Sequence, residues 1–371
     1  MNSRKAFFAL LKAGLWEQDV RLSTFGAMDF SAIYKLAEEQ AVIGLVTAGL
    51  EHVPDVTVPQ KVALSFASTT IQLEQRNRAM DSFIEDLFVQ LRARYLYALL
   101  VKGQGIAQCY ERPLWRSAGD IDLFLDADDY EKAKQWLQTI GKVYEDENGF
   151  KRHIVFIVGT WDIELHGSLR SELGGRIDKV IDEVQNDVFY GGNVRTWLNG
   201  KTLVFIPAPD DDVVFVFSHI LQHFFRGGIG LRQICDWCRL LWTFREQIDR
   251  RLLENRIMKM CVMTEWRTFA ALAVEWLGMP VEAMPLYSEN VKYIRKANKL
   301  CDIIMSSGNF GYNRDLSYKA KSSFAIRMII SLYYRIYDFV RQARIFPINA
   351  CRAFVGVWKT GIEVVLKRIK Q

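Results

Sequence analysis

Apolar residues recur every three or four positions through residues 1–94, which predicts helices. "SAIYKLAEEQAVIGLVTAGLEHV" has this spacing throughout, with Ser31 as the expected N-cap, and "PQKVALSFASTTIQLEQRNRAMDSFIEDLFVQLRARY" predicts one long helix or two after Pro59. The texture changes at "LYALLV" (96–101), a short apolar run that suits a buried strand. A glycine turn, a short helix over 106–110, a loop and a second strand over 121–125 follow. "DADDYEKAKQWLQTIG" opens on acids and closes on Gly141, which are helix start and stop signals. "HIVFIVG" (153–159) and "WDIELHG" (161–167) predict two strands joined by a tight turn at Gly159–Thr160. Beyond "LVFIPAPDDD" the helical period returns in "DVVFVFSHILQHFF", "LRQICDWCRLLWTFREQ" and "MTEWRTFAALAVEWLG". The expected organisation is an N-terminal helical region (1–94), an α/β core (95–206) and a C-terminal helical region (207–371).

Composition narrows the class without changing that picture. Half the residues are apolar and a quarter charged, which excludes a disordered chain. The longest run free of charged residues, "VVFVFSHILQHFF" (213–225), falls well short of the ~20 residues that span a bilayer. The N-terminal "AFFALL" is too short for a secretory core, and six scattered cysteines do not form a disulfide framework. Cytoplasm is therefore the expected location. The net charge of +5 is uneven, because residues 319–371 hold eleven Lys and Arg against Asp338 and Glu363. That segment predicts two amphipathic helices separated near Pro347. Three readings of it stay open: a solvated flank, a peripheral contact with the anionic inner membrane surface, or a site for RNA or another polyanion.

The chemistry concentrates between residues 102 and 166. Alternation along a strand puts Asp120 and Asp122 on one face, where two carboxylates can bracket a pair of hard divalent cations. Magnesium wants further oxygen ligands, and "WDIELH" supplies them, since Asp162, Glu164 and His166 share a face. Gly103 and Gly105 would let backbone N–H groups approach a phosphate, with Lys102, Arg112 and Arg116 as cations beside it. Other motifs carry less. His219 and His223 lack the glutamate of the zinc-protease pattern, and Cys235 and Cys238 lack partners at zinc spacing and read as core. "GQGIAQ" misses the last glycine of the dinucleotide fingerprint, and "GKT" at 200–202 misses the first glycine of the Walker motif.

The order "KG…R…GDIDL…ELH" resembles the DNA polymerase beta-like nucleotidyltransferase superfamily, and within it a little-characterised bacterial branch. The resemblance covers about residues 90 to 240, including "HILQH…LRQICDW". It implies an α+β fold, with a mixed-sheet nucleotidyltransferase core flanked by helical regions. It also implies Asp120, Asp122 and Glu164 as catalytic, metal-holding acids, with Glu164 the base or metal-adjacent carboxylate. Two magnesium ions and an NTP, ATP by expectation, would be the cofactor and donor. Lys102, Gly103, Gln104, Gly105, Arg116 and Ser117 would form the nucleotide side. Many members have Gly-Ser where this chain has Gly103-Gln104, so Ser117 or the Gly105 amide would have to replace that serine. The acceptor, a small molecule or sugar, would meet His166, His219, His223 and Arg226 in a cleft between the core and the C-terminal helices. The rival reading is a non-catalytic module that docks a membrane or protein partner through its basic tail.

Overall fold

Ala41, held at a positive φ of 54°, divides the stretch that reads as one N-terminal helix into two. The computed structural model describes residues 2–145, 147, 152–171, 173–314 and 324–356. Helices α1 (Asn2–Trp16), α2 (Phe30–Glu39) and α3 (Ile43–Glu51) precede the long α4 (Gln60–Arg92), which starts directly after Pro59 as a single helix. The cap of α2 is Asp29 and not the expected Ser31. Ser31 lies inside the first turn and donates its N–H to Asp29 Oδ1 at 2.8 Å.

A five-stranded mixed sheet follows. It is built from β1 (Ala98–Val101), β2 (Ile121–Leu125), β3 (Lys142–Glu145), β4 (His153–Val158) and β5 (Trp161–His166), in the order β1-β2-β5-β4-β3. β2 and β5 run parallel and the other neighbours antiparallel. Between β1 and β2 lies α5 (Gly103–Ala107), which begins at the glycines instead of at the expected residue 106. α6 (Ala127–Ile140) is capped by Asp126, whose carboxylate accepts from the N–H groups of Asp128 and Asp129.

Three elements are additions to the expected order, the edge strand β3 among them. α7 (Gly175–Phe189) buries Ile177, Val180, Ile181, Val184 and Val188, and β6 (Val194–Asn199) forms a hairpin with β7 (Thr202–Pro207). The C-terminal helices are α8 (Pro209–Arg226), α9 (Leu231–Thr243), α10 (Arg250–Met260), α11 (Met263–Leu277), α12 (Val291–Ser307) and α13 (Phe324–Ala343). A further helix runs from 347 to the end of the described residues at 356. The two-helix expectation for the tail is met over those residues, and 319–323 and 357–371 lie outside them.

β1 and β2 are buried on both faces, while the edge strand β3 is exposed. Ile121, Leu123, Leu125, Ile154, Phe156, Ile163 and Leu165 point to one side, where Tyr130, Ala133 and Leu137 of α6 and Ile84 and Phe88 of α4 cover them. Phe124 points to the other side and packs its ring 4.7 Å from that of Phe189 on α7. That second face joins a larger apolar cluster containing residues from Ala6 to Ala353, so all three expected regions share one core.

Candidate active site

Register brings the acids together. Asp122 on β2 stands opposite Glu164 on β5, and Phe124 opposite His166. His166 in turn pairs with His153 across the antiparallel β4–β5 hairpin. Because laterally paired residues project to the same side of a sheet, Asp122, Glu164, His166 and His153 form one polar row beside Phe124. Asp120, one residue before β2, completes the set. One carboxylate oxygen from each of Asp120, Asp122 and Glu164 can be chosen so that all three lie within 4.8 Å of one another. Asp162 stands at the exposed start of β5, outside this cluster.

Three acids this close and this buried repel one another unless something compensates. Lys102 does so in part. Val101 is paired with Asp122, so the chain leaves β1 beside the acids, and Lys102 Nζ reaches Asp122 Oδ1 at 2.5 Å. Burial works against its charge, but Asp122, Glu164 and Asp120 outweigh that and raise its pKa above the ordinary value. Two histidines brace Glu164. His153 Nε2 lies 3.3 Å and His166 Nε2 3.4 Å from Glu164 Oε2, and His166 Nε2 is also 2.9 Å from Asp122 Oδ1. Burial would raise the Glu164 pKa, yet those two imidazoles and Lys102 hold it well below the carboxylate range. Burial lowers and the two carboxylates raise the pKa of His166, with a net rise. Asp120 goes the opposite way: burial, then the charges of Asp122 and Glu164, push it up to about 7. The row therefore divides its labour, with Glu164 ionised and Asp120 retaining a proton near neutrality.

The turn before α5 needs its first glycine. Gly103 has a φ of 42°, and a Cβ there would sit 3.5 Å from the Asp120 carbonyl oxygen. Lys102 itself is at φ 58°, a left-handed conformation that a side chain adopts at a cost. Several expected nucleotide contacts are committed elsewhere. Gln104 is buried, and its Nε2 donates to Asp81 Oδ1 at 2.7 Å. A Cβ on Gly105 would meet the Ile206 side chain, so this glycine serves helix–strand packing. Arg116, 5% exposed, makes a two-pronged contact with Asp236, both N–O distances being 2.7 Å. Arg112 pairs with Glu17 and Glu51. Both guanidinium groups are thus paired with carboxylates of the scaffold.

α9 grips the loop that delivers Asp120. From adjacent turns, Asp236 holds Arg116 and Tyr110, whose hydroxyl donates at 2.7 Å, while Arg232 Nη1 donates to the Ser117 carbonyl at 2.9 Å. Asn77 of α4 adds bonds to the carbonyls of Leu114 and Arg116. Arg232 is the residue that sequence reasoning missed. It is buried, its Nε has no hydrogen-bond partner, and its charge acts on Asp120. Burial first, and the nearby Arg116 second, lower its pKa. Arg232 lies in the "LRQICDW" stretch of the resemblance, one helical turn before Asp236, but was not among the expected site residues.

α8 approaches from the C-terminal side. His219 Nε2 lies 3.2 Å from Lys102 Nζ and 2.9 Å from His223 Nε2. Burial, then Lys102 and His223, keep its pKa well below the ordinary value, so the neutral imidazole accepts from the ammonium. Arg226 lies two turns further along α8 and lines a small cleft with Arg335, Asp338 and Phe339. Cys235 and Cys238 are buried in the core of α9.

A mixed sheet with three converging acids on its parallel pair, entered through a Lys-Gly turn, defines a protein of the nucleotidyltransferase class. The family comparison agrees. Over residues 26–278, more than half of its length, the chain matches the model of a family described as uncharacterised nucleotidyltransferases, and it belongs to that family. No curated protein and no solved structure matches it.

Proposed function

We propose that this protein transfers a nucleoside monophosphate from an NTP to a hydroxyl of a small-molecule or sugar acceptor. The observation that carries the reading is the mutual approach, within 4.8 Å, of ligand oxygens from Asp120, Asp122 and Glu164. All three donors are carboxylate oxygens, a set that suits a hard cation, and their buried repulsion favours a bound positive charge, so the residues fit magnesium. Magnesium bound there would neutralise triphosphate oxygens and acidify the attacking hydroxyl. Glu164, fixed and ionised by His153 and His166, orients that hydroxyl by accepting its hydrogen bond. The hydroxyl oxygen bonds to the α-phosphorus, the bond from that phosphorus to the β-bridging oxygen breaks, and pyrophosphate departs. The hydroxyl proton passes to a carboxylate of the row. The Gly103 turn and the Arg232 guanidinium suit the phosphates, since both lie beside Asp120. Lys102, drawn from Asp122, can follow the developing charge as a point cation. The acceptor side is expected along His219 and His223.

The test supplies purified protein with each labelled NTP, magnesium and a cell extract, and follows label into an acceptor. Asp122→Asn is expected to lower transfer at least about a hundredfold, the loss of several kcal/mol of charge stabilisation, with an unchanged circular dichroism spectrum. Undiminished labelling by that variant would falsify the metal-holding role.

A further inference from the structure

α13 packs Phe339 and Ala343 against the core, but it turns a wider apolar face outward, unlike a helix that only closes a core. On its inner side Gln342 is buried and donates to the Phe224 carbonyl at 2.6 Å, and Asp338 takes the Arg314 guanidinium at 2.6 Å. On its outer side Ile326, Ile329, Tyr333, Ile336, Tyr337 and Val340 are 42–64% exposed. At the helical period these six positions fall within an arc of about 100°. The next helix adds exposed Ile348 and Val355. A contiguous apolar stripe of this kind on a folded surface marks an interaction site.

Charge decides the occupant. Arg335 on α13 and Arg344 just past its end are exposed, and the only acid among residues 324–356, Asp338, is turned toward Arg314. The segment from 319 to 371 carries eleven basic residues against two acids. A second copy of the chain docked on this stripe would bring arginines against arginines. A bilayer with anionic headgroups instead offers hydrocarbon to the stripe and phosphate to the flanking cations. A 20-residue helix is about 30 Å long and can lie flat with its tyrosines at headgroup level. Among the described residues no helix is long and apolar enough to cross a membrane. The family match ends at residue 278, before α13 begins.

We propose that α13 is a membrane-surface helix, seating the protein peripherally on bilayers that contain anionic lipid. The experiment is flotation of the full chain with vesicles of phosphatidylcholine alone and of phosphatidylcholine mixed with phosphatidylglycerol, at low and high salt. Binding is expected to the mixed vesicles, weakened by salt and reduced at least about tenfold in Ile329→Asp/Tyr333→Asp. Ile329→Ser/Val340→Ser is the milder pair should the first fail to fold. Three outcomes overturn the proposal. One is the absence of binding to the mixed vesicles. Another is binding that both folded variants retain, or that heparin matches without any dependence on the stripe. The last is a wild-type dimer, seen by light scattering, that becomes monomeric in the variants.

Discussion

Asp120 and Glu164 carry the same functional group, yet their surroundings drive them apart: one is held ionised by two imidazoles, the other is pushed up to about 7 by burial and two like charges. The folded state therefore keeps the Asp120 proton to near pH 7, while the unfolded chain releases it near pH 4. Through that window the native state binds more protons, so this group's contribution falls as pH rises. Asp120→Asn is expected to stabilise the fold by on the order of 2 kcal/mol at pH 8 in chelator, and the gap should close toward pH 4. Denaturant unfolding at the two pH values measures it, and a variant less stable than wild type at pH 8 would contradict the assignment. Asp120, Asp122 and Glu164 were legible because their spacing along strands states their face. The partners of Gln104 and Arg116 were not. Asp81 and Asp236 stand 23 and 120 residues away, and nothing local to either side chain says that its hydrogen bonds are already taken.

At the scale of elements, glycine decides how closely helices approach. α1 and α3 touch through Gly14 and Gly49, where an added Cβ would overlap the Leu45 and Leu10 carbonyl oxygens respectively. Gly49→Ala is expected to destabilise the protein by about 1–3 kcal/mol by forcing the two backbones apart, read as a lower midpoint in denaturant unfolding. A midpoint at or above the wild-type value would show that these helices slide freely. The sequence pattern located most elements but not every boundary. The N-terminal period continues through Ala41 although the backbone turns there, because periodicity reports faces and not φ. α7 carries apolar residues at 177, 180, 181, 184 and 188, a helical spacing that was present to be read. β6 is harder, since five of its six residues are half-exposed or exposed and only Asn199 is buried. Its pairing with β7 is a tertiary fact with a weak local trace.

Across the whole molecule, the larger apolar cluster ties the N-terminal helices, the sheet's acidic face and the C-terminal helices into one body. The acids therefore sit in a frame fixed on several sides, and the balance of charge inside it matters to folding. Lys102, 2.5 Å from Asp122, supplies that balance from within the chain. A chelator is expected to leave the wild-type fold intact. Lys102→Met is expected to lose on the order of 3 kcal/mol, because it strands buried carboxylates, and to regain part of it when magnesium is added. Thermal unfolding with and without chelator reads both effects, and a Lys102→Met protein indifferent to magnesium would refute the link. A lysine lodged among catalytic-type acids thus acts as an understudy. The polypeptide can mature and wait without capturing an ion of its own, and under the proposed function a divalent cation is expected to come and go with each nucleotide, a visitor rather than a lifelong tenant.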